Sequence, residues 1–187
     1  MKVFLKIAPL LFTDLDGTLL DGNYSYSEAL PVLNVLNERG IPVIFCSAKT
    51  RAEQEALRRK LGNIHPFIVE DGSAIIIPKG YFKEKVGESS GDYEVIILGV
   101  PFKEIRKEIT RLQEKYLIKG FYDITPQEVT KLTGLPLEDS VLSKKREFSE
   151  TLVQIDREIL PNLDKKFNLT VGKRYVQVYG KNTDKGK

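Results

Sequence analysis

The apolar positions of this chain fall into short separated runs whose period changes along its length. Residues 8–13 (APLLFT) are apolar up to Asp14, and 42–47 (PVIFCS) and 66–70 (PFIVE) repeat the pattern. Short continuous runs of this kind predict strands buried on both faces of a parallel sheet. Between them, residues 27–39 predict a helix, with Leu30, Leu33 and Leu36 forming its stripe and Gly40 at its stop. Thr50, followed three residues later by Glu53, is a capping box for a second helix that runs to Leu61 and stops at Gly62. AIII at 74–77 predicts a fourth strand. Strands alternating with helices in this way predict a doubly wound α/β sheet.

The pattern then changes. Residues 79–92 (KGYFKEKVGESSGD) are polar and glycine-rich, the composition of a boundary. Beyond them the expected elements are those of an α+β region. They are a strand at 93–98, a helix striped by Ile105, Ile109, Leu112 and Tyr116, and a short helix opened by Thr125, Pro126 and Glu128. A strand at 147–155, a helix over 156–165, and a closing strand pair around Gly172 follow. There is no internal repeat and no low-complexity tract.

Composition narrows the class. Of 187 residues, 41% are hydrophobic and 29% charged, and the net charge of +3 is the near-balance of 29 basic and 26 acidic side chains. That describes a soluble globular protein with no general affinity for nucleic acid or membrane. Cys46 is the one cysteine, so no disulfide can form within the chain and a reducing, cytoplasmic setting is expected. The apolar N-terminus is interrupted by Lys2 and Lys6, is too short to span a bilayer, and reads as a strand with a short lead. Abundant Lys and Glu with little Cys and Met fits a thermophile.

The chemistry concentrates at DLDGTLL, Asp14–Leu20, at the carboxyl end of the first strand, where ligands bind in open α/β sheets. Asp14 and Asp16 are two apart, so both carboxylates face the same side of an extended chain. Such a pair repels unless a divalent cation is shared, and Gly17 allows the turn that follows. A bare Asp-x-Asp would be an acidic turn; its place directly after an apolar strand favours a functional site. Ser47, at the end of the second strand, can donate to an anion. Lys49 and Arg51 add charge beside a helix amino end that itself favours anions. His65 reads as a loop residue, and Cys46, pointing away from Ser47, as packed core.

DLDGTLL resembles the first motif of the haloacid dehalogenase superfamily, and Ser47 and Lys185 (in NTDKGK) resemble its second and third. SAKTRAEQE (47–55), EDGSAIIIPKGYF (70–82), REFSET (146–151) and the Gly172/Arg174/Tyr175 segment are similar, over nearly the whole chain, to the mannosyl-3-phosphoglycerate phosphatase family. The resemblance implies a Rossmann-like core in residues 1–80, an inserted α/β cap in 81–180, and a return to the core in 181–187. It implies that Asp14 is a nucleophile forming an aspartyl-phosphate and that Asp16 is a general acid and base. Lys185 would hold nucleophile and phosphoryl group together. Mg2+ would bind the Asp14 carboxylate and the Asp16 carbonyl. Lys49, Arg51, Arg146, Ser149 and Arg174 are the residues expected to bind a phosphorylated sugar-glycerate, arginine being suited to its carboxylate.

The sequence departs from the family in two places. Asp71 in Glu70-Asp71-Gly72 stands where the family has Asn, and the family's Gly-Asp-x-x-x-Asp segment is absent. The core is therefore expected to be C-terminally incomplete, with Leu10-Leu11-Phe12 on an open apolar edge prone to self-association. Two other activities fit the same residues: phosphoryl transfer to a second sugar hydroxyl, as in a phosphomannomutase, or phospho-sugar binding without turnover.

Overall fold

The computed structural model describes residues 9–181, 183, 185 and 186, so the expected strand at the N-terminus can be compared only from residue 9 onward. The first three apolar runs form parallel strands, β1 (Leu11–Thr13), β2 (Val43–Cys46) and β3 (Phe67–Val69), side by side in that order. The crossovers are α1 (Leu30–Glu38) and α2 (Arg51–Leu61). The capping box at Thr50 and Glu53 forms, and Gly62 ends α2 in the left-handed conformation at φ +63°, the geometry that glycine adopts without a Cβ penalty.

The sheet continues by antiparallel pairing through β4 (Ala74–Pro78), β5 (Glu88–Ser90) and β6 (Tyr93–Ile97), giving the order β1-β2-β3-β4-β6-β5. This corrects the expectation that 79–92 leaves the first sheet and that the strand after it belongs to the second region. The polar stretch is an exposed edge hairpin. Val95 of β6 packs into the first core, because β4 offers an unpaired edge and every second residue of β6 is apolar. The chain leaves the first sheet at Gly99–Val100 and comes back at Gly180. These two segments run so close that a Cβ on Gly180 would lie 2.8 Å from the Gly99 Cα.

Between them lies a second, antiparallel sheet of order β7-β8-β10-β9, from β7 (Ile118–Gly120), β8 (Ser149–Ile155), β9 (Phe167–Val171) and β10 (Val176–Gly180). One face is packed by α3 (Phe102–Gln113) and α6 (Leu160–Asp164) through Ile105, Ile109, Leu152, Leu163 and Val178. The short helices α4 (Pro126–Thr133) and α5 (Leu137–Ser143) connect β7 to β8, and α4 opens on the expected Thr125–Glu128 capping box. The helix α5 and the strand β7 had no distinct signature in the sequence.

The first sheet has two unlike faces. Val43, Phe45, Phe67, Val69, Ala74, Ile76 and Val95 alternate onto the face beneath α1 and α2 and form the first core. The intervening residues Ile44, Cys46, Ile68, Ile75, Ile77 and Ile96, with Leu10 and Phe12, line an open apolar concavity of about 920 Å³. Among the described residues β1 is at the edge of the sheet, and Leu10 and Phe12 are 52% and 56% exposed. Cys46 is therefore not packed core. It is half-buried on the open face, opposite Phe45. Among the described residues no helix is long and apolar enough to cross a membrane.

Neighbouring residues of β4 test this sidedness. Ile76, fully buried under the helices, should cost about 2–5 kcal/mol when replaced by alanine, and Ile75, on the open face, less than half as much. Urea midpoints at constant m-value measure both; equal losses would contradict the two-faced sheet.

Candidate active site

Apolar burial aims the two aspartates. Leu15 is fully buried, so in the extended segment after β1 its neighbours Asp14 and Asp16 turn the other way, into solvent. Asp14 Oδ1 accepts from the Leu15 amide at 2.8 Å. The chain then doubles back, with Gly17 at φ +73° donating to the Leu20 carbonyl at 2.9 Å. Each carboxylate is met by an ammonium from elsewhere in the chain. Lys185 Nζ lies 3.3 and 3.2 Å from the two oxygens of Asp14, across 171 residues of sequence. Lys49 Nζ lies 3.1 Å from Asp16 Oδ1 and 3.5 Å from Glu53. Burial pulls the Lys49 pKa down, but Glu53 and Asp16 outweigh it and hold the group above its ordinary value.

Ser47 is buried at the end of β2, and its Oγ accepts from the Lys49 amide at 3.3 Å. Arg51, two residues past Lys49, is not brought to this site. It pairs with Glu55 at 2.7 Å, donates to Ser90 at 3.1 Å and stacks over Tyr93. One helical step turns it toward the β5–β6 edge. After β3, Glu70, Asp71 and Gly72 are three successive left-handed residues with φ of +49°, +59° and +87°. Asp71 Oδ1 is 3.9 Å from Lys185, and its buried Oδ2 has no hydrogen-bond partner among the described residues. Burial raises the Asp71 pKa, Lys185 and Arg146 lower it, and Asp14 raises it, leaving it above the usual carboxylate value.

A cleft of about 280 Å³ opens between this loop cluster and the uncovered face of the second sheet. Asp16 and Lys49 form one wall, and Arg146 and Arg174 line it from the other side. Ser149 is not available to a ligand: it is fully buried, donating to Glu70 at 2.6 Å and accepting from Arg146 at 2.8 Å. Residues not singled out from the sequence complete the cleft. Tyr24, at φ +60°, lies beneath Lys49 and donates to the Thr133 carbonyl at 3.0 Å, while Thr151 donates to Gln177 Oε1 at 2.9 Å. The signal for the latter two was present in the alternation of β8 and β10, whose polar positions share one face.

For a metal, the described residues offer the hard oxygens of Asp14, about two-fifths exposed, and no group of three or more His, Cys, Asp or Glu side chains placed to hold an ion. That donor set fits magnesium, which uses few protein carboxylates and keeps several waters.

A half-exposed carboxylate at the end of the first parallel strand, a second two residues on, a serine at the next strand end and a lysine beside the first carboxylate match the haloacid dehalogenase plan. The comparisons agree. The haloacid dehalogenase-like hydrolase family matches residues 11–113. The chain is 44% identical over 181 residues to the mannosyl-3-phosphoglycerate phosphatase of Pyrococcus furiosus, covering 95% of this chain and 74% of that protein. It is 38% identical over 185 residues to the glucosyl-3-phosphoglycerate/mannosyl-3-phosphoglycerate phosphatase of Persephonella marina, covering 95% and 69%. A solved haloacid dehalogenase-like hydrolase from B. subtilis superposes with a TM-score of 0.61 at 14% identity, over 95% of this chain and 75% of that one. The chain belongs to the haloacid dehalogenase-like hydrolases and is a phosphatase among them.

The buried carboxyl beside Lys185 makes a testable case. A raised folded-state pKa means that Asp71 costs stability as pH rises from its unfolded value of 3.8 through its folded one, and nothing below both. Asp71→Asn should therefore be more stable than the parent at pH 7, with the gain vanishing as pH falls toward 3.8. Thermal melts across that range give the answer; a pH-independent difference would mean that Lys185 fully compensates the charge.

Proposed function

We propose that this phosphatase hydrolyses the phosphomonoester of a glycosylated 3-phosphoglycerate, the mannosyl compound in particular, through an aspartyl-phosphate on Asp14 with Mg2+ as cofactor. The observation that carries this reading is the Asp14–Lys185 pair two residues from the Asp16–Lys49 pair, the latter facing Arg146 and Arg174 across the cleft. The relatives named above act on such substrates. A phosphoester with a carboxylate and sugar hydroxyls fits a cleft whose reactive end is acidic and whose far wall carries guanidinium and amide groups.

Asp14 attacks phosphorus. The bond to the glycerate oxygen breaks while Asp16 gives that oxygen a proton. Water then attacks the aspartyl-phosphate, Asp16 takes its proton, and the bond between Asp14 and phosphorus breaks to release inorganic phosphate. Lys185, equidistant from both Asp14 oxygens, is placed to offset negative charge gathering there, and Lys49 fixes the direction of Asp16. Ser47 supplies a hydroxyl for a phosphoryl oxygen. Magnesium, held by the Asp14 carboxylate and the Asp16 carbonyl, would neutralise charge between the carboxylate and the phosphoryl group. The inserted cap is proposed to span the second sheet and its helices, joined to the core where Gly99 and Gly180 lie together.

Asp14→Asn should reduce phosphate release by at least about a thousandfold, because an amide is a poor nucleophile. Phosphate release from the sugar-glycerate substrate without added sugar bisphosphate checks this and separates hydrolysis from mutase chemistry. A variant keeping a tenth of the activity would remove Asp14 from the role. Asp16→Asn should slow alkyl phosphates far more than activated aryl phosphates, since only the former need a proton on the leaving group. Equal slowing would assign Asp16 elsewhere.

Arg174→Ala should raise KM about tenfold for the carboxylate-bearing substrate and leave p-nitrophenyl phosphate within about twofold, the loss expected of one charge-assisted hydrogen bond. Parallel changes for both substrates would place specificity outside the second sheet.

A further inference from the structure

Glu70 is fully buried, and its carboxylate serves the other sheet rather than its own. Oε1 accepts from the Glu147 amide at 2.9 Å, and Oε2 accepts from the Phe148 amide at 3.0 Å and the Ser149 hydroxyl at 2.6 Å. Three donors on one short segment of the second region are thus satisfied by a single side chain from the turn after β3. The turn holds Glu70 in the left-handed region at φ +49°, a costly conformation for a residue with a Cβ that persists when the surroundings over-determine it.

The contact continues into the cleft. The Ser149 hydroxyl that donates to Glu70 accepts from Arg146 Nη1 at 2.8 Å, and the same nitrogen donates to the Ala48 carbonyl at 3.1 Å. Ala48 sits between Ser47 and Lys49. Arg146 itself lines the cleft, and its Nε is buried with no hydrogen-bond partner among the described residues. A carboxylate that merely stapled two sheets together could grip any part of the second region. This one grips the three residues that follow Arg146, so the guanidinium position and the staple cannot vary independently.

We propose that Glu70 is a positioning residue for this phosphatase: by fixing the segment after Arg146 it sets the guanidinium at the height in the cleft where a substrate carboxylate binds. The inference rests on the reading of the cleft given above. Replacement by glutamine would turn one acceptor toward donors it cannot satisfy, because an amide nitrogen would face either the Glu147 amide or the Phe148 amide.

The test uses the full chain, its Glu70→Gln and Arg146→Ala variants, and the double variant, titrated calorimetrically with 3-phosphoglycerate and with inorganic phosphate. Glu70→Gln should weaken 3-phosphoglycerate about tenfold and phosphate by less than about twofold. In the Arg146→Ala background it should add less than about twofold, because both changes remove one interaction. Equal weakening of both ligands, or a double variant showing the full product of the two single effects, would overturn the inference. If the unmutated chain binds neither ligand, the proposed function fails on its own. The NMR signal of Arg146 Nε–H then decides the positioning role, since Glu70→Gln should shift and broaden it, and an unmoved signal overturns the proposal. Should Glu70→Gln not fold, Ser149→Ala removes the hydroxyl link alone and should give the same pattern at about threefold; no preference between the ligands would count against it.

Discussion

Two carboxylates two residues apart at the end of one strand are the constraint around which this protein is arranged. Left alone, Asp14 and Asp16 would repel each other and disfavour the loop that holds them. The fold answers with two ammonium groups from opposite directions: Lys185 on Asp14, and Lys49, at the amino end of α2, on Asp16. Both aspartates remain about half exposed, so these pairs are screened and add little to stability in themselves. Their consequence is geometric. They separate the two acids into distinct environments, Asp14 at the rim of the open apolar face and Asp16 at the wall of the polar cleft. Two like groups with unlike neighbours can take different roles, one as nucleophile and the other in proton transfer.

The second sheet supplies what the first lacks. A strand end can present a few groups at one point, but the proposed sugar-glycerate substrate would need polar contacts spread over several ångströms. The face of the second sheet away from α3 and α6 provides Thr151 and Gln177 in facing positions of β8 and β10, with Arg174 and Tyr175 at the neighbouring turn. That face can be polar because the opposite one carries the apolar core of the sheet.

The elements and the polar strand ends that carry Asp14 and Ser47 were legible in the sequence for local reasons. The strand ends at Asp14 and Ser47 follow from apolar runs that stop at a polar residue, and the capping boxes at Thr50 and Thr125 from spacing alone. What was not legible depends on distant partners. Tyr93–Ile97 alternates in the same way whichever sheet receives it, so only the free edge of β4 decides its place. Arg51 and Lys49 look equivalent in sequence, but two residues at a helix start point in different directions, and Glu55 and Tyr93 hold Arg51 away. Ser149 looked like a substrate hydroxyl because nothing local reveals a glutamate 79 positions earlier that uses it.

The same limit applies to the turn after β3, where the sequence shows only Asp71 in the place of the family's Asn. Asp71 and Gly72 are residues that tolerate positive φ, and any tight connection between β3 and β4 would favour them. Yet the fully buried carboxylate of Glu70 is raised above its ordinary pKa by burial, against which the nearby Arg146 charge, the Ser149 hydroxyl and two backbone amides work. Its desolvation is tolerable only while all three donors stay in place. Opening the cleft between the sheets would strip them away and leave a buried charge without partners, or expose it to water. The contact between the sheets thus resists separation at the residues next to the arginine that lines the cleft. The contact between the two sheets and the placement of Arg146 thus share one hydrogen-bond network, rooted in the first sheet at the residue after β3.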